Sequence, residues 1–297
     1  MVAKKGKSTF DWWFDIVNYS LLGLVAASVL YVLIFVLSAS VSEPDALYQG
    51  KMVLFPVGFT LEGYQRVFKD ARIWTGYSNS ILYTLVGTFV SMSLTLTCGY
   101  ALSRKDVPGR GIFTALMMFT MFFSGGMIPT YLTVQSLGML DTIWAIVIPN
   151  AVSVSNVIIA RTFFASTLPK EMLEAAEIDG CSNTRYFFSI ALPLSKSVIA
   201  VLALYYGVSE WNEFFSSLLY LSDEKKYPLQ LILREILIQS QNNSSMTGDL
   251  VEAEKLTRIA EIIKYALIVV ASLPMLMLYP FIQKHFVKGV MIGSVKG

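Results

Sequence analysis

Three stretches of the chain, 16–42, 73–103 and 111–140, contain no Asp, Glu, Lys or Arg. Each is longer than the roughly 20 apolar residues that cross a bilayer as a helix. A typical soluble domain carries about 25% charged residues; this chain carries 15%, with 55% hydrophobic. The shortage of charge is therefore local, concentrated in runs of membrane length. Such runs exclude a soluble enzyme, a disordered chain and a secreted disulfide scaffold. They also argue against an outer-membrane barrel, whose strands alternate over only about ten residues. The expected fold class is an all-α integral membrane protein.

Six transmembrane helices are the economical count: 18–40, 76–103, 112–135, 142–164, 190–220 and 262–283. The fifth is interrupted by Lys196, Glu210 and Glu213, and the sixth contains Pro274 and Pro280. Proline is tolerated in such helices when neighbours satisfy the freed carbonyls. Orientation follows from the excess of Lys and Arg in cytoplasmic segments. With six spans, four groups fall on one side: Lys4, Lys5 and Lys7; Arg104, Lys105 and Arg110; Arg161, Lys170, Arg185 and Lys196; and Lys284, Lys288 and Lys296. The 136–141 connection on the other side has no basic residue, and four acids balance the basic residues of 41–75. Both termini are thus expected in the cytoplasm. The first apolar run is too long for a signal-peptide core and reads as an uncleaved anchor.

This predicts one transmembrane domain over 1–297. It comprises an N-terminal tail and first helix (1–40), an extracytoplasmic segment (41–75) and core helices (76–283), ending in a cytoplasmic tail (284–297). Within the core lie a cytoplasmic segment (166–189) and an extracytoplasmic loop (221–258). Thr60 is expected to cap a short surface helix running through Asp70. Pro228 is expected to open one or two amphipathic turns, followed by a polar, mobile loop at 239–245.

The net charge of +2 gives no reason to expect a nucleic-acid partner. Cys98, Cys181 and the single histidine, His285, fall in no metal or redox spacing. No GxxxxGK[ST] occurs, so the chain is not expected to cradle ATP phosphates.

Residues 166–196 carry the densest punctuation. Thr167 or Ser166 is expected to cap a short helix, with Pro169 in its first turn and Gly180 at its C-terminal stop. Ala175 and Ala176 make a low-profile surface, and Glu174, Glu177 and Asp179 add acidic charge. Phe187, Phe188 and Ile190 then begin a second helix. These residues suit either an ordinary solvated loop helix or a docking helix for a cytoplasmic partner.

Glu174-Ala175-Ala176-x-x-Asp179-Gly180, followed by Ile190-x-Leu192-Pro193, resembles the EAA motif of bacterial ABC importer permeases. Trp211-Asn212-Glu213 is similar to a signature of the carbohydrate-uptake class, and 283–297 looks like the tail of the maltose-type second permease. The runs 53–56, 104–110 and 123–131 resemble the subgroup for complex and acidic oligosaccharides, as in alginate importers. Ser195-Lys196 departs from the pattern, since many members have a proline there. The resemblance covers essentially the whole chain. It implies a type I importer fold with a homologous second permease, two ATPase subunits and an extracytoplasmic binding protein. It also implies an oligosaccharide substrate and ATP and Mg bound only by partner subunits, with no cofactor in this chain and no catalytic role. Membrane lipid is the surrounding solvent. The implied ATPase-coupling residues are Glu174, Ala175, Ala176, Asp179 and Gly180, and the tail from Lys288 to Gly297 is a second candidate for that contact.

Sugars have polar edges and apolar faces, so planar hydrogen-bonding groups beside aromatic rings suit a substrate path. Asn150, Asn156, Tyr205, Tyr206, Trp211, Asn212 and Glu213 fit that description; interhelical hydrogen bonding accounts for the same residues equally well. Glu210 and Glu213 are expected on one helical face. Asn242, Asn243 and Ser244 are candidates for contact with the binding protein. An ion-coupled carrier, a membrane enzyme and an ABC permease for a non-sugar solute are the competing readings.

Overall fold

The computed structural model describes the backbone of residues 9–246 and 258–277, and the side chains of 10–239 and 258–277. The tail at 284–297 and His285 lie outside the described residues. Every regular element described is helical, with one isolated antiparallel bridge between Ser42 and Phe59. In chain order the helices are α1 (Thr9–Ser40), α2 (Pro44–Tyr48), α3 (Glu62–Lys69), α4 (Ala71–Ser103), α5 (Arg110–Phe122), α6 (Met127–Ser136), α7 (Ile143–Val147) and α8 (Val154–Thr167). They continue as α9 (Lys170–Ile178), α10 (Asn183–Tyr186), a π-turn (Phe187–Ala191), α11 (Leu192–Leu194), α12 (Lys196–Trp211), α13 (Phe215–Tyr220), a 3₁₀ turn (Glu224–Lys226), α14 (Leu229–Met246) and α15 (Arg258–Met277).

α1, α4 and α15 are each long and apolar enough to cross a bilayer; two bent pairs, α5 with α6 and Asn183–Leu194 with Lys196–Trp211, raise the number to as many as five. The third, fourth and fifth helices, each expected as a single span, are therefore corrected to divided ones. The third bends by 115° between α5 and α6, where Gly125 and Gly126 remove side chains and Gly126 takes φ +88°, a conformation cheap only for glycine. The fourth divides into α7 and α8 around Pro149, which has no N–H to donate and clashes with the preceding turn. The fifth bends by 83° between α11 and α12 and ends at Trp211, so Glu210 and Glu213 do not share a helical face. The polar loop expected at 239–245 is instead the continuation of α14. No Gly or Pro occurs between Leu229 and Met246, so nothing in that stretch stops a helix.

The chain forms two compact units. Of the described residues, the first takes in 9–70, 235–246 and 258–272. In it α1 is apolar from Ile16 onward and exposed along most of its length, being buried only at Ser38, Ala39 and Ser40, the composition of a helix solvated by lipid or by another protein. Its C-terminal end is fastened by the Ser42 hydroxyl donating to Ser38 O (2.6 Å) and by a 2.8 Å contact between Ser40 Oγ and Tyr64 Oη. α3 begins at Glu62 with Leu61 at the cap position, so Thr60 does not cap it as expected; the Thr60 hydroxyl still accepts from Glu62 N at 3.2 Å. Gly63 lets α3 approach Ile262 O of α15, which a Cβ would meet at 3.1 Å.

Of the described residues, the second unit takes in 71–234 and 273–277. α4 is its axis and packs along both α8 and α12. Small residues permit close approach between membrane helices: a Cβ at Gly99 would lie 2.6 Å from Ala160 Cβ, and one at Gly76 2.7 Å from Ile232 Cδ1. Near its N-terminus α4 holds the 225–229 segment through side chains. Asn79 Nδ2 donates to Lys225 O (2.8 Å) and Tyr227 O (3.0 Å), Tyr83 donates to Lys226 O (2.8 Å), and Ser80 Oγ accepts from Leu229 N (2.8 Å). Asp141 sits at φ +59°. Its carboxylate accepts from Ser222 N, Asp223 N and Lys226 Nζ, the last at 2.5 Å. The Lys226 ammonium, followed by these amides, lowers the Asp141 carboxyl to a pKa of about 2.

Candidate functional site

The segment expected in the cytoplasm folds into a short exposed helix standing on a buried aromatic cluster. α8 continues through Thr167, so neither Ser166 nor Thr167 caps the next helix; Pro169 occupies the cap position of α9. The C-terminal stop follows the sequence expectation. Gly180 adopts φ +73°, its N–H reaches Glu177 O (3.0 Å), and Cys181 N reaches Ala176 O (2.9 Å). This pair of bonds is the Schellman pattern. Nothing lies within 4 Å of a Cβ placed on Gly180, so only the backbone conformation calls for glycine there. Ser182 then caps α10, its hydroxyl accepting from Arg185 N at 3.3 Å. The second helix therefore starts at Asn183, before the expected Phe187.

No residue of α9 is fully buried. Leu173, Ala176 and Cys181 rest against the cluster of Phe164, Tyr186 and Phe187, while Glu174, Ala175, Asp179 and Gly180 face outward. Glu174 pairs with Lys170 at 2.7 Å, and the bond raises the Lys170 pKa. Both groups are well exposed, so the pair contributes little to stability. Ile178 is 86% exposed and was missed in the sequence. Its signal was an aliphatic residue between Glu177 and Asp179 on a charged helix. The outward face thus offers one small alanine, Ala175, an exposed aliphatic side chain and acids at its margins, a surface that another protein can approach closely.

A second missed residue is Arg104, one position beyond α4. Its guanidinium reaches Asp106, Asn183 and Glu177. The Asp106 carboxylate raises the Arg104 pKa further, and Arg104 in turn lowers that of Asp106.

The seven polar and aromatic candidates for a substrate path fall into groups. Tyr206 and Trp211 are interior. Tyr206 Oη lies 2.6 Å from Thr95 Oγ1 and accepts from Ser153 N at 3.2 Å, and Trp211 packs on Tyr77 with ring centroids 6.2 Å apart. Asn150 and Glu213 are brought together through Ser216: Asn150 Nδ2 donates to Ser216 Oγ (3.3 Å), and Glu213 Oε1 accepts from Ser216 N (2.7 Å). Asn212 is exposed and turns its amide back to Val208 O at 2.8 Å. Tyr205 is exposed and Asn156 half-buried. Glu210 lies over Gly87, where a Cβ would come within 2.6 Å of the Glu210 Cδ. The backbone of α14 runs through Asn242, Asn243 and Ser244; their side chains lie outside the described residues. Among the described residues no group of three His, Cys, Asp or Glu is arranged to hold a metal ion.

Helices long and apolar enough to cross a bilayer, beside a short, exposed and charged helix, suit a membrane protein, and comparison with known proteins gives its family. The pattern of the binding-protein-dependent transport system inner membrane component family matches residues 73–292. The chain belongs to that family: it is a multi-pass inner-membrane permease subunit of an ABC importer, not an enzyme. Membership implies a partner permease, an ATPase and a solute-binding protein, and it sets aside the ion-coupled carrier and the membrane enzyme. Protein LplC of Bacillus subtilis (strain 168) is 45% identical over 284 residues, 96% of this chain and 95% of the relative. The polygalacturonan/rhamnogalacturonan transport system permease protein YtcP of the same organism is 43% identical over 285 residues, 96% and 98% of the two chains. A crystal structure of a bacterial ABC transporter involved in the import of the acidic polysaccharide alginate contains a chain 34% identical to this one. The two align with a TM-score of 0.83, covering 95% of this chain and all of that one.

Proposed function

We propose that this chain forms half of the translocation pore of an ATP-driven importer for oligosaccharides, with fragments of acidic polysaccharides as its substrate class. The observation that carries the substrate class is the agreement of two relatives. One is named for polygalacturonan and rhamnogalacturonan and the other for alginate, and each aligns over at least 95% of this chain. In this reading residues 1–297 are one permease domain with six crossings and both ends in the cytoplasm. A homologous permease completes the pore, and two ATPase subunits bind the ATP and Mg. Glu174, Ala175, Ala176, Asp179 and Gly180 seat α9 in a cleft on an ATPase, with Ile178 as an apolar contact. ATPase closure moves α9 and the bundle joined to it, a two-state switch biased by nucleotide on one side and by the loaded binding protein on the other. Asn242, Asn243 and Ser244 meet the binding protein. Asn150, Asn156, Tyr205, Tyr206, Trp211, Asn212 and Glu213 form or support the substrate path. A bare carboxylate would repel an acidic sugar; the bond from Ser216 N to Glu213 occupies one of its oxygens.

The test is ATPase stimulation of the reconstituted complex by its binding protein, across acidic and neutral oligosaccharides. Stimulation by uronate oligomers is expected; a response to neutral oligosaccharides alone overturns the substrate class, and none to any saccharide overturns the sugar reading. Glu174→Ala is expected to leave the subunit folded in the membrane while uptake is lost. Full uptake with normal ATPase stimulation in that variant refutes the role of α9.

A further inference from the structure

α9 rests on the bundle through Leu173 and Ala176. Beside that contact a cleft of about 490 Å³ lies between it and the end of α4, lined among others by Tyr100, Ser103, Leu173, Glu174 and Glu177. A short helix flanked by a cleft, with no buried residue of its own, can tilt into the space when pushed. One side chain crosses the gap. Arg104 is only 10% exposed, although its carboxylate partners Asp106 and Glu177 are 59% and 53% exposed. Nε and Nη2 hold the two oxygens of Asp106 at 2.9 and 2.6 Å. Nη1 donates to Asn183 Oδ1 at 2.6 Å and to Tyr100 Oη at 3.4 Å. Nη2 stands 3.6 Å from Glu177 Oε1. One planar group thus joins α4, the loop after it, the last turn of α9 and the start of α10.

The anchorage beneath Arg104 is also firm. The last carbonyls of a helix have no intrahelical donor. Here Arg161 Nε of α8 donates to Leu102 O (3.2 Å), and Arg110 Nη1 of α5 donates to Arg104 O (3.3 Å). A displacement passed to Arg104 therefore reaches α4, α5 and α8. The other charged groups near the gap, Lys105, Lys170 and Glu174, do not substitute for it: Lys105 is exposed and Lys170 pairs with Glu174 along α9 itself.

We propose that Arg104 is a positioning residue that braces α9 against α4 across the cavity, so that movement of α9 is transmitted to the membrane helices and is not dissipated as local tilt. The proposal rests on α9 being the contact with the ATPase. An arginine is suited to it because its rigid fork meets several acceptors at once, whereas a lysine ammonium is a flexible point charge.

The test uses the complete importer in proteoliposomes with its loaded binding protein, measuring ATPase retention, ATP hydrolysis and sugar taken up per ATP. Arg104→Gln is expected to retain the ATPase and hydrolyse ATP, with uptake per ATP reduced at least about fivefold, the lower end of usual intersite couplings. Arg104→Lys is expected to recover part of that loss. A merely structural role would lower assembly and hydrolysis together and leave uptake per ATP unchanged. Wild-type uptake per ATP in assembled Arg104→Gln overturns the proposal. Should that variant fail to assemble, Asn183→Ala and Glu177→Gln remove single arms of the brace, and normal uptake per ATP in both overturns it equally. Glu174→Ala reports on the ATPase contact separately, so failure of the underlying reading is distinguishable from failure of the brace.

Discussion

Replacing Gly99 by alanine tests whether the closeness of α4 and α8 is a structural requirement. The added methyl would meet Ala160 Cβ at 2.6 Å, Arg161 N at 3.1 Å and Ala160 C at 3.3 Å. Carbon atoms rest about 3.5–4.0 Å apart, so the helices must part by roughly 1 Å. None of the three neighbours can rotate aside, since two are backbone atoms and the third is a Cβ. Overpacking of this kind costs about 1–3 kcal/mol. Alanine recovers roughly 0.5–1 kcal/mol of helix-forming tendency over glycine, leaving a net loss of up to about 2.5 kcal/mol. Gly111, in the first turn of α5, is the control, because a Cβ there meets nothing within 4 Å; Gly111→Ala keeps the gain without the clash. Gly87→Ala falls between them, because the Glu210 carboxylate it would strike is the movable end of a side chain. Thermal melts of the purified complex, read at roughly 2–4 °C per kcal/mol for a domain of 150–250 residues, should rank Gly99→Ala lowest, then Gly87→Ala, with Gly111→Ala at or above wild type. Gly99→Ala melting together with Gly111→Ala would refute the packing argument.

Tyr206→Phe deletes the hydroxyl that contacts buried Thr95 and accepts from Ser153 N; stranding both should cost about 1–3 kcal/mol. Tyr205→Phe, at an exposed position, should leave the melting temperature unchanged, and equal losses in the two variants would contradict the assignment. Asp141 has a folded pKa lowered to about 2, below the unfolded value of about 3.9, so its stabilising contribution is present above pH 4 and lost as pH falls through 2. The difference in melting temperature between wild type and Asp141→Asn should therefore be constant above pH 4.5 and shrink below it; a difference independent of pH down to 2.5 would contradict the Lys226 pairing.

The membrane class was legible because absence of charge over 16–42 and 73–103 admits few alternatives; α1 covers the first run as far as Ser40 and α4 covers the second. The C-terminal stop of α9 was legible because its chemistry is local: one glycine at φ +73° and two backbone bonds within five residues. Arg104 stood in the sequence only as one of several cytoplasmic basic residues. Its brace to Asn183 spans 79 positions, and no local pattern reports which distant acceptor a guanidinium will meet. Trp211 was read as a sugar platform from its type and neighbours, while packing against Tyr77 turns it inward.

The missed breaks in the third, fourth and fifth helices share a physical cause. Hydropathy sums side-chain transfer energies and does not register whether the backbone can continue, so Gly125-Gly126 and Pro149 leave an apolar run intact while interrupting its hydrogen bonds. At membrane depth each freed N–H must find another acceptor; a side-chain oxygen supplies one at the α5–α6, α7–α8 and α12–α13 interruptions, whereas at the α11–α12 bend Ser195 N bonds to Leu192 O. Ser124 Oγ accepts from Gly126 N (3.2 Å), Tyr206 Oη from Ser153 N (3.2 Å) and Glu213 Oε1 from Ser216 N (2.7 Å). Polar residues therefore gather at broken helices whether or not a substrate passes, which is why composition alone placed Tyr206 and Glu213 beside Tyr205 and Asn150. Tyr206 is buried and Glu213 holds a freed amide, whereas Tyr205 and Asn150 are exposed and neither satisfies a freed backbone N–H. Substitutions at this second pair separate sugar contact from backbone satisfaction, because their loss leaves these three backbone bonds in place.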